Sequence, residues 1–491
     1  MGWLWRETAR PASPADSEEP LLTSRRSSTD EETAIKRQAQ KSTSRTRVTV
    51  LSVLLTTSLA AVAAVTYLLA SHKLRPLTGR PQPHAPDNSP IKNVVVLVQE
   101  NLSFDAVAGG LEYNPDIDNL VHRSFCNPAN ISDPSSPQVC AKPVAKNVAP
   151  DDPDHSIAGG NFQVYGTDHP DLSIQRPSMQ GFVSEQIRSY EIDRDLNRAG
   201  EVINYYSPEH VPIFNHLAEN YLLFDRWFAA VPGPTNPNRA YLTSGTSHGH
   251  GWNDPSFDVS ALPQVSIFEQ LAAANISWVN YSNTTGFAPD AMFYQWTAHS
   301  HHARTSIKPI NQFFKDAKSG NLPQFTWINP ECCTYQSFHP PSPTDLSEGF
   351  IKNIYEALRS SPQWNETLFV LTFDEHGGFA DHVAPPENVP AGDEIPYTEV
   401  AKDGQATTFH FDRLGIRVPT LLISPWVEKG VVEHSPEGEG EYTHTSLLKY
   451  VSELWGLDVL TPRVAWSASF GNLIRGFRED TPAVLPAPLI F

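Results

Sequence analysis

Three continuous apolar runs constrain this chain more than any other feature: Val94-Val95-Val96-Leu97-Val98, Thr367 to Phe373 (TLFVLTF) and Val418 to Ile423 (VPTLLI). Runs without polar alternation belong to strands covered on both faces. Between them lie stretches with apolar residues at helical spacing: Ile213 to Tyr221, Ile267 to Ala274, Phe350 to Leu358 and Leu447 to Trp455. Helix–strand couples such as SIFEQLAAANISWVNYS and FIKNIYEALRSSPQWNETLFVLTF repeat that order. The alternation predicts an α/β fold over residues 91–491, with a mainly parallel central sheet flanked by helices. Irregular stretches at 102–180 and 380–412 are expected as insertions above the sheet.

Upstream, Val48 to Ala70 holds 23 residues without a charge, enough to cross a hydrocarbon layer of about 30 Å as a helix. It starts too far from the N-terminus, and is too long, for an ordinary cleaved signal peptide. Lys36, Arg37, Lys41, Arg45 and Arg47 precede it; Lys73, Arg75 and Arg80 follow. That bias places the N-terminal tail in the cytoplasm. Sequons at Asn130, Asn275, Asn280, Asn283 and Asn365 all lie downstream. The expected organisation is a disordered cytoplasmic tail (1–47), a transmembrane helix (48–70), a Pro-rich linker (71–90) and a large domain (91–491). That is a single-pass type II membrane protein with its large domain extracellular or lumenal, at the plasma membrane, vacuole or Golgi.

Composition excludes two kinds of partner. With 36 basic against 55 acidic residues the net charge is −19, which argues against a nucleic-acid face and against electrostatic attraction to anionic lipid. Four cysteines are too few for a disulfide framework. Cys126 and Cys140 are expected to bridge; Cys332 and Cys333 form a vicinal disulfide or stay as buried thiols.

In open α/β sheets ligands sit beyond the carboxyl ends of the strands. The first run empties into Gln99-Glu100-Asn101 and the TLFVLTF run into Asp374-Glu375-His376-Gly377-Gly378. Carboxylate and amide oxygens at two strand ends suit a divalent cation, although each cluster alone also suits a capped turn or a solvated loop. A third segment, Val231-Pro232-Gly233-Pro234-Thr235-Asn236-Pro237-Asn238-Arg239, presents one hydroxyl, Thr235, on a braced loop. A cation beside such a hydroxyl lowers its pKa and makes it a nucleophile; a proline-braced turn is the alternative.

QENLSFD, VPGPTNPNR and TFDEHGGFADHVAPP, in this order, resemble the phosphoesterase family of non-haemolytic phospholipases C and related acid phosphatases. The likeness extends to PDH around His155 and to CCTYQSFHPPSP; INPECC and SSPQWNETL are similar to its fungal branch. The resemblance implies an alkaline phosphatase-like fold and metal-assisted phosphoryl transfer through a covalent intermediate. By motif position Glu100, Asn101, Asp374 and Glu375 would hold the metal, with Thr235 as both ligand and nucleophile. Asn238 would bind a phosphoryl oxygen. His155 and His339 would line the phosphate pocket, His339 protonating the leaving group. His376, His382 and His444 would be structural neighbours, and the His299, His301 and His302 cluster a surface feature.

Two departures stand out. The family pattern has Arg where this chain has Leu102, and Asn101-Leu102-Ser103 is itself a sequon, so Asn101 is expected to be buried and unglycosylated. The implied function is phospholipase C-type hydrolysis of phospholipid head groups, with divalent metal of unspecified identity. The alternatives are an acid phosphatase acting on soluble phosphomonoesters and a catalytically inactive scaffold.

Overall fold

The computed structural model describes residues 89–491, apart from 193 and 284–286. The expected tail (1–47), transmembrane run (48–70) and nearly all of the linker (71–90) lie outside the described residues. Among the described residues no helix is long and apolar enough to cross a membrane.

The central sheet has eight strands: β1 (Asn93–Gln99), β2 (Leu222–Phe224), β3 (Trp278–Ser282), β4 (Ile307–Pro309), β5 (Phe325–Asn329), β6 (Thr367–Phe373), β7 (Thr420–Ile423) and β8 (Val431–Glu433). Their spatial order is β8-β2-β7-β6-β1-β5-β3-β4. Every neighbouring pair is parallel except those made by β7, which runs antiparallel to both β6 and β2. The VPTLLI run is thus a strand, but the one reversed member of the sheet, and it starts at Thr420. All seven residues of β1 and of β6 are buried, as continuous apolar runs require. Burying a Val or Leu side chain contributes on the order of 1.5–3 kcal/mol, so β1 alone anchors much of the core.

The helices that bear on the site are α1 (Ile157–Tyr165), α2 (Pro212–Asn220), α3 (Thr235–Ser244), α4 (Ile267–Ala273), α5 (Thr344–Arg359) and α6 (His444–Trp455). Helix α5 packs on α2, and α6 on α3. The α5 helix begins six residues before the apolar spacing shows it, because Thr344, Asp345, Ser347 and Glu348 are buried polar residues. Glu348 explains one of them: its carboxylate accepts the Ile213 and Phe214 backbone N–H groups at the start of α2 (2.6 and 3.0 Å).

The two irregular stretches carry small ladders of their own. Cys126–Pro128 pairs with Gln138–Cys140, and Cys126 and Cys140 are bonded across 14 residues, a loop closure that contributes about 3 kcal/mol in chain-entropy terms. Tyr397–Val400 pairs with Ala406–Phe409. Cys332 and Cys333 are bonded to each other.

Candidate active site

Strands β1 and β6 pair in register from Asn93 opposite Thr367 to Gln99 opposite Phe373. The next residues, Glu100 and Asp374, therefore leave the sheet side by side. The Asp374 N–H donates to the Gln99 carbonyl (3.0 Å). The Asn101 and Glu375 N–H groups both donate to Asp374 Oδ1 (3.2 and 2.8 Å). Its Oδ2 accepts from Arg239 Nε (2.8 Å). Glu375 Oε2 accepts the Gly377 N–H (2.5 Å).

Asn101 takes a left-handed conformation (φ +75°), which Asn tolerates better than most residues. Gly377 (φ +63°) lies directly on it: a Cβ there would sit 2.0 Å from the Asn101 carbonyl oxygen. The glycine after Asp-Glu-His thus lets the two oxygen-bearing loops touch.

Thr235 is the first residue of the ten-residue helix α3, where backbone N–H groups lack intrahelical partners; the Asn236 N–H donates to Asn253 Oδ1 (2.7 Å) and Pro237 has none, which leaves the Thr235 N–H to face an anion. Its hydroxyl donates to Glu100 Oε1 (3.3 Å). Pro237 fits the first helical turn because no N–H bond is lost there.

Asn238 departs from expectation. It is wholly buried, and its amide nitrogen donates to the carbonyls of Val231, Gly233 and Pro234 (3.1, 2.9 and 3.2 Å), while Oδ1 accepts the Val231 N–H (3.0 Å). Every polar atom of the side chain is committed to the Pro/Gly loop, so it fixes the backbone that carries Thr235 and has no donor left for a phosphoryl oxygen.

The opposite wall holds Asp152, His155 and His339, whose ligating atoms lie within 4.8 Å of one another. His155 Nδ1 pairs with the Pro153 carbonyl and His339 Nδ1 with the Pro340 carbonyl, each at 2.7 Å. With Nδ1–H donating, Nε2 of each ring is turned to the other partners; that of His339 is 3.6 Å from Asp152 Oδ2. Asn101 Nδ2 donates to Asp152 Oδ1 (3.1 Å), linking the two walls. Burial works to lower the pKa of His339, but the charges of Glu100 and Asp152 outweigh it and raise it.

The remaining histidines are held elsewhere. His376 faces Gln163 Oε1 (3.0 Å) and burial lowers it to about 3. His444 donates to the Asp374 carbonyl (2.5 Å), accepts from Trp227, and is lowered to about 4, mainly by burial. His382 lies between Asp105 and Asp118 (2.7 and 3.1 Å). His302 stacks on Trp278 and Trp296.

Arg239, Asp152 and Asp290 have no assigned role in the sequence reading. Arg239 is buried, bonded to Asp374 and, at 3.3 Å, to Asp290, which also accepts from Trp327. Its position directly after Asn238 in the Pro/Gly motif is the only sequence signal for it. Leu102, where the family pattern has Arg, is buried in the main core.

A cleft of about 270 Å³ opens over this floor, lined among others by Glu100, Thr235, Arg239, Asp258, Phe287 and His339. Its layout defines a class: an α/β enzyme that gathers oxygen donors, a hydroxyl and a helix N-terminus at the carboxyl ends of parallel strands. The profile of the Phosphoesterase family matches residues 91–458, and the chain belongs to that family. It is 38% identical over 430 residues to non-specific phospholipase C4 of Arabidopsis thaliana, covering 82% of this chain and 75% of that one. Non-specific phospholipase C1 of the same plant is 37% identical over 436 residues (86% and 78%). Non-hemolytic phospholipase C of Burkholderia pseudomallei (strain K96243) is 26% identical over 456 residues (80% and 59%). The chain is a hydrolase acting on phosphoric ester bonds. A solved alkaline phosphatase superfamily protein from Vibrio parahaemolyticus aligns at 11% identity over 52% of this chain and 63% of its own, with a TM-score of 0.32, too distant to add to the strand order.

The residues present fit a divalent cation. Burial raises the Asp374 carboxyl to about 7, Arg239 opposing and Glu100 adding to the rise. Burial and the Asp374 charge raise Glu375 well above the carboxylate range. Asn101 Oδ1 and Glu375 Oε1 are buried without any hydrogen-bond partner, an arrangement that costs free energy unless another group meets them. The donors are all oxygen, the set preferred by hard cations.

Proposed function

We propose that the protein is a membrane-anchored, metal-dependent phospholipase C that works through a phospho-threonine intermediate. The observation that carries this reading is the placement of Thr235 Oγ1 at the N-terminus of α3, 3.3 Å from Glu100. The relatives named as phospholipases C support the substrate class.

Thr235 Oγ passes its proton to Glu100 Oε1, to which it is hydrogen-bonded, and attacks phosphorus, and the bond from phosphorus to the diacylglycerol oxygen breaks. His339 Nε2–H protonates that leaving oxygen. The phosphorylated head group remains on Thr235 until water attacks phosphorus and restores the hydroxyl. Throughout, the Thr235 N–H at the start of α3 stabilises the developing charge, and Asn238 keeps the loop fixed. Glu100, Asn101, Thr235, Asp374 and Glu375 would hold a divalent cation, which acts as a Lewis acid and lowers the hydroxyl pKa.

The uncharged run at 48–70 and the downstream sequons support a type II anchor with the catalytic domain (91–491) extracellular or lumenal. Asn130, Asn275 and Asn365 are exposed and open to glycosylation, whereas Asn101 and Asn280 are buried.

The test compares the full chain with Thr235→Ala on phosphatidylcholine and on a simple phosphomonoester, with diacylglycerol and free phosphate both quantified. Diacylglycerol release lost in Thr235→Ala is expected. Phosphate release from the monoester alone would make the protein a phosphatase, and neither product, with divalent metals supplied, a scaffold.

A further inference from the structure

The bonded pair Cys332 and Cys333 has no part in the chemistry described above, yet both residues line the cleft that holds Thr235 and His339. We propose that this bond gates a second metal site: once a dithiol reductant opens it, Cys332, Cys333 and His339 bind a thiophilic cation of the zinc type. The site stands on its own geometry; its effect on turnover rests on the role given to His339 above.

The two sulfurs and a ring nitrogen of His339 all lie within 4.8 Å of one another. The His339 Nδ1–H is held by the Pro340 carbonyl (2.7 Å), an orienting bond of the kind metal-bound imidazoles keep, and it leaves Nε2 for a cation. Asp152 Oδ2, 3.6 Å from that nitrogen, or a water completes a set of four. Two thiolates and an imidazole select zinc or cadmium, whereas the oxygen donors around Asp374 select a hard cation. Cys333 takes φ +127°, a conformation that glycine adopts freely and other residues at a cost. A cysteine in that place points to a use for its sulfur. The turn is also tied by side chains. Glu331 Oε2 accepts the Thr334 and Tyr335 N–H groups (3.3 and 3.0 Å), and Gln336 Oε1 accepts the Glu331 N–H (3.2 Å). Those bonds keep the three ligands together when the sulfurs part. Both cysteines are half-buried, so a small reductant reaches them from the cleft.

In the opening step one thiol of the reductant attacks a cysteine sulfur and forms a mixed disulfide. Its second thiol then displaces that cysteine as the reductant closes its own disulfide. The dithiol gives up two electrons and two protons, and the protein disulfide becomes two thiols. A zinc ion displaces a proton from each thiol to solvent. Metal on His339 Nε2 blocks protonation of the leaving oxygen, so turnover stops. In an oxidising compartment the bond persists, and His339 stays available to the reaction.

The test uses the full chain, oxidised or reduced with dithiothreitol and freed of it by anaerobic gel filtration. Cadmium is titrated while the ultraviolet thiolate-to-cadmium band is read, a band that oxygen ligands do not give. The Cys332→Ser/Cys333→Ser double variant, treated identically, accounts for the Cys126 and Cys140 thiols. Reduced wild type should gain a band, saturating with a single cadmium, beyond anything seen in the reduced double variant; the oxidised protein should show none. In His339→Gln the affinity behind that band should fall about a hundredfold, the share of one ligand in a tightly bound set. No band beyond that of the double variant, or unchanged affinity in His339→Gln, overturns the site. A slight excess of zinc should lower diacylglycerol release by reduced wild type about a hundredfold or more, and leave the oxidised protein and the reduced double variant unaffected. Cadmium binding without that fall, or loss of release on reduction before zinc is added, overturns the gating. If no form hydrolyses lipid, the cadmium band still decides the site, and only the phospholipase reading falls.

Discussion

The carbonyl oxygen of Asn101 lies where a side chain on Gly377 would begin, 2.0 Å from the position of its Cβ. The two oxygen-bearing loops are thereby packed backbone to backbone at this point, beside the hydrogen bond from the Asn101 N–H to Asp374 Oδ1. Gly377→Ala must push them apart, and a displacement near 1 Å at reacting groups costs about a hundredfold in rate. We expect kcat to fall by that order with the circular dichroism spectrum retained. Wild-type kcat in the variant would show that the loops need not touch.

Asn238→Ala separates two roles by their readouts. Four hydrogen bonds are removed from a buried loop, at about 0.5–1.5 kcal/mol each, so a loss of about 2–6 kcal/mol in denaturant unfolding is expected along with the loss of rate. A phosphate contact would instead raise KM and leave stability alone.

His339→Gln tests the leaving-group acid. General acid catalysis contributes about 10²–10⁴-fold, and least where the leaving group needs no proton. Diacylglycerol release should therefore fall by that range, while hydrolysis of p-nitrophenyl phosphorylcholine falls far less. Equal losses on both substrates would assign His339 to binding.

His382 gives a pH signature in stability. Burial disfavours its charge, but hydrogen bonds to Asp105 and Asp118 and the charges of Asp105 and Asp381 raise it to about 9 from 6.5. A raised pKa means that the contribution is complete below about pH 6.5 and disappears as pH rises through 9. The gap in Tm between wild type and His382→Gln should be widest near pH 6 and close by pH 10. A gap independent of pH would mean that the ring is neutral in the fold.

What the sequence made legible follows from how locally each feature is encoded. The runs at Val94 and Thr367 declare themselves because strands covered on both faces need no polar partner, and Glu100, Asn101, Asp374 and Glu375 are readable because they directly follow those runs. The reversal of β7 is not local: Thr420–Ile423 reads the same in either direction, and only its pairing with β6 decides it. Asn238 was misassigned for a related reason. An amide three residues after a hydroxyl suits a phosphate or a loop carbonyl equally, and the backbone path of Val231 to Pro234 makes the choice. Arg239 joins Asp374 across 135 residues, a pairing that no spacing rule expresses.

If the domain enters the lumen as proposed, Asn101 is hidden from glycan transfer in part by a partner made much later. Its N–H meets Asp374, 273 residues downstream, and at roughly 5–20 residues per second that interval lasts tens of seconds. A domain delivered to the lumen as proposed would expose Asn101-Leu102-Ser103 to glycan transfer for all of that time. Yield of competent enzyme then becomes a race between oligosaccharide transfer and completion of the chain. A polypeptide modified there would be excluded from the native fold, so the asparagine proposed to hold the cation would also set a kinetic tax on its production.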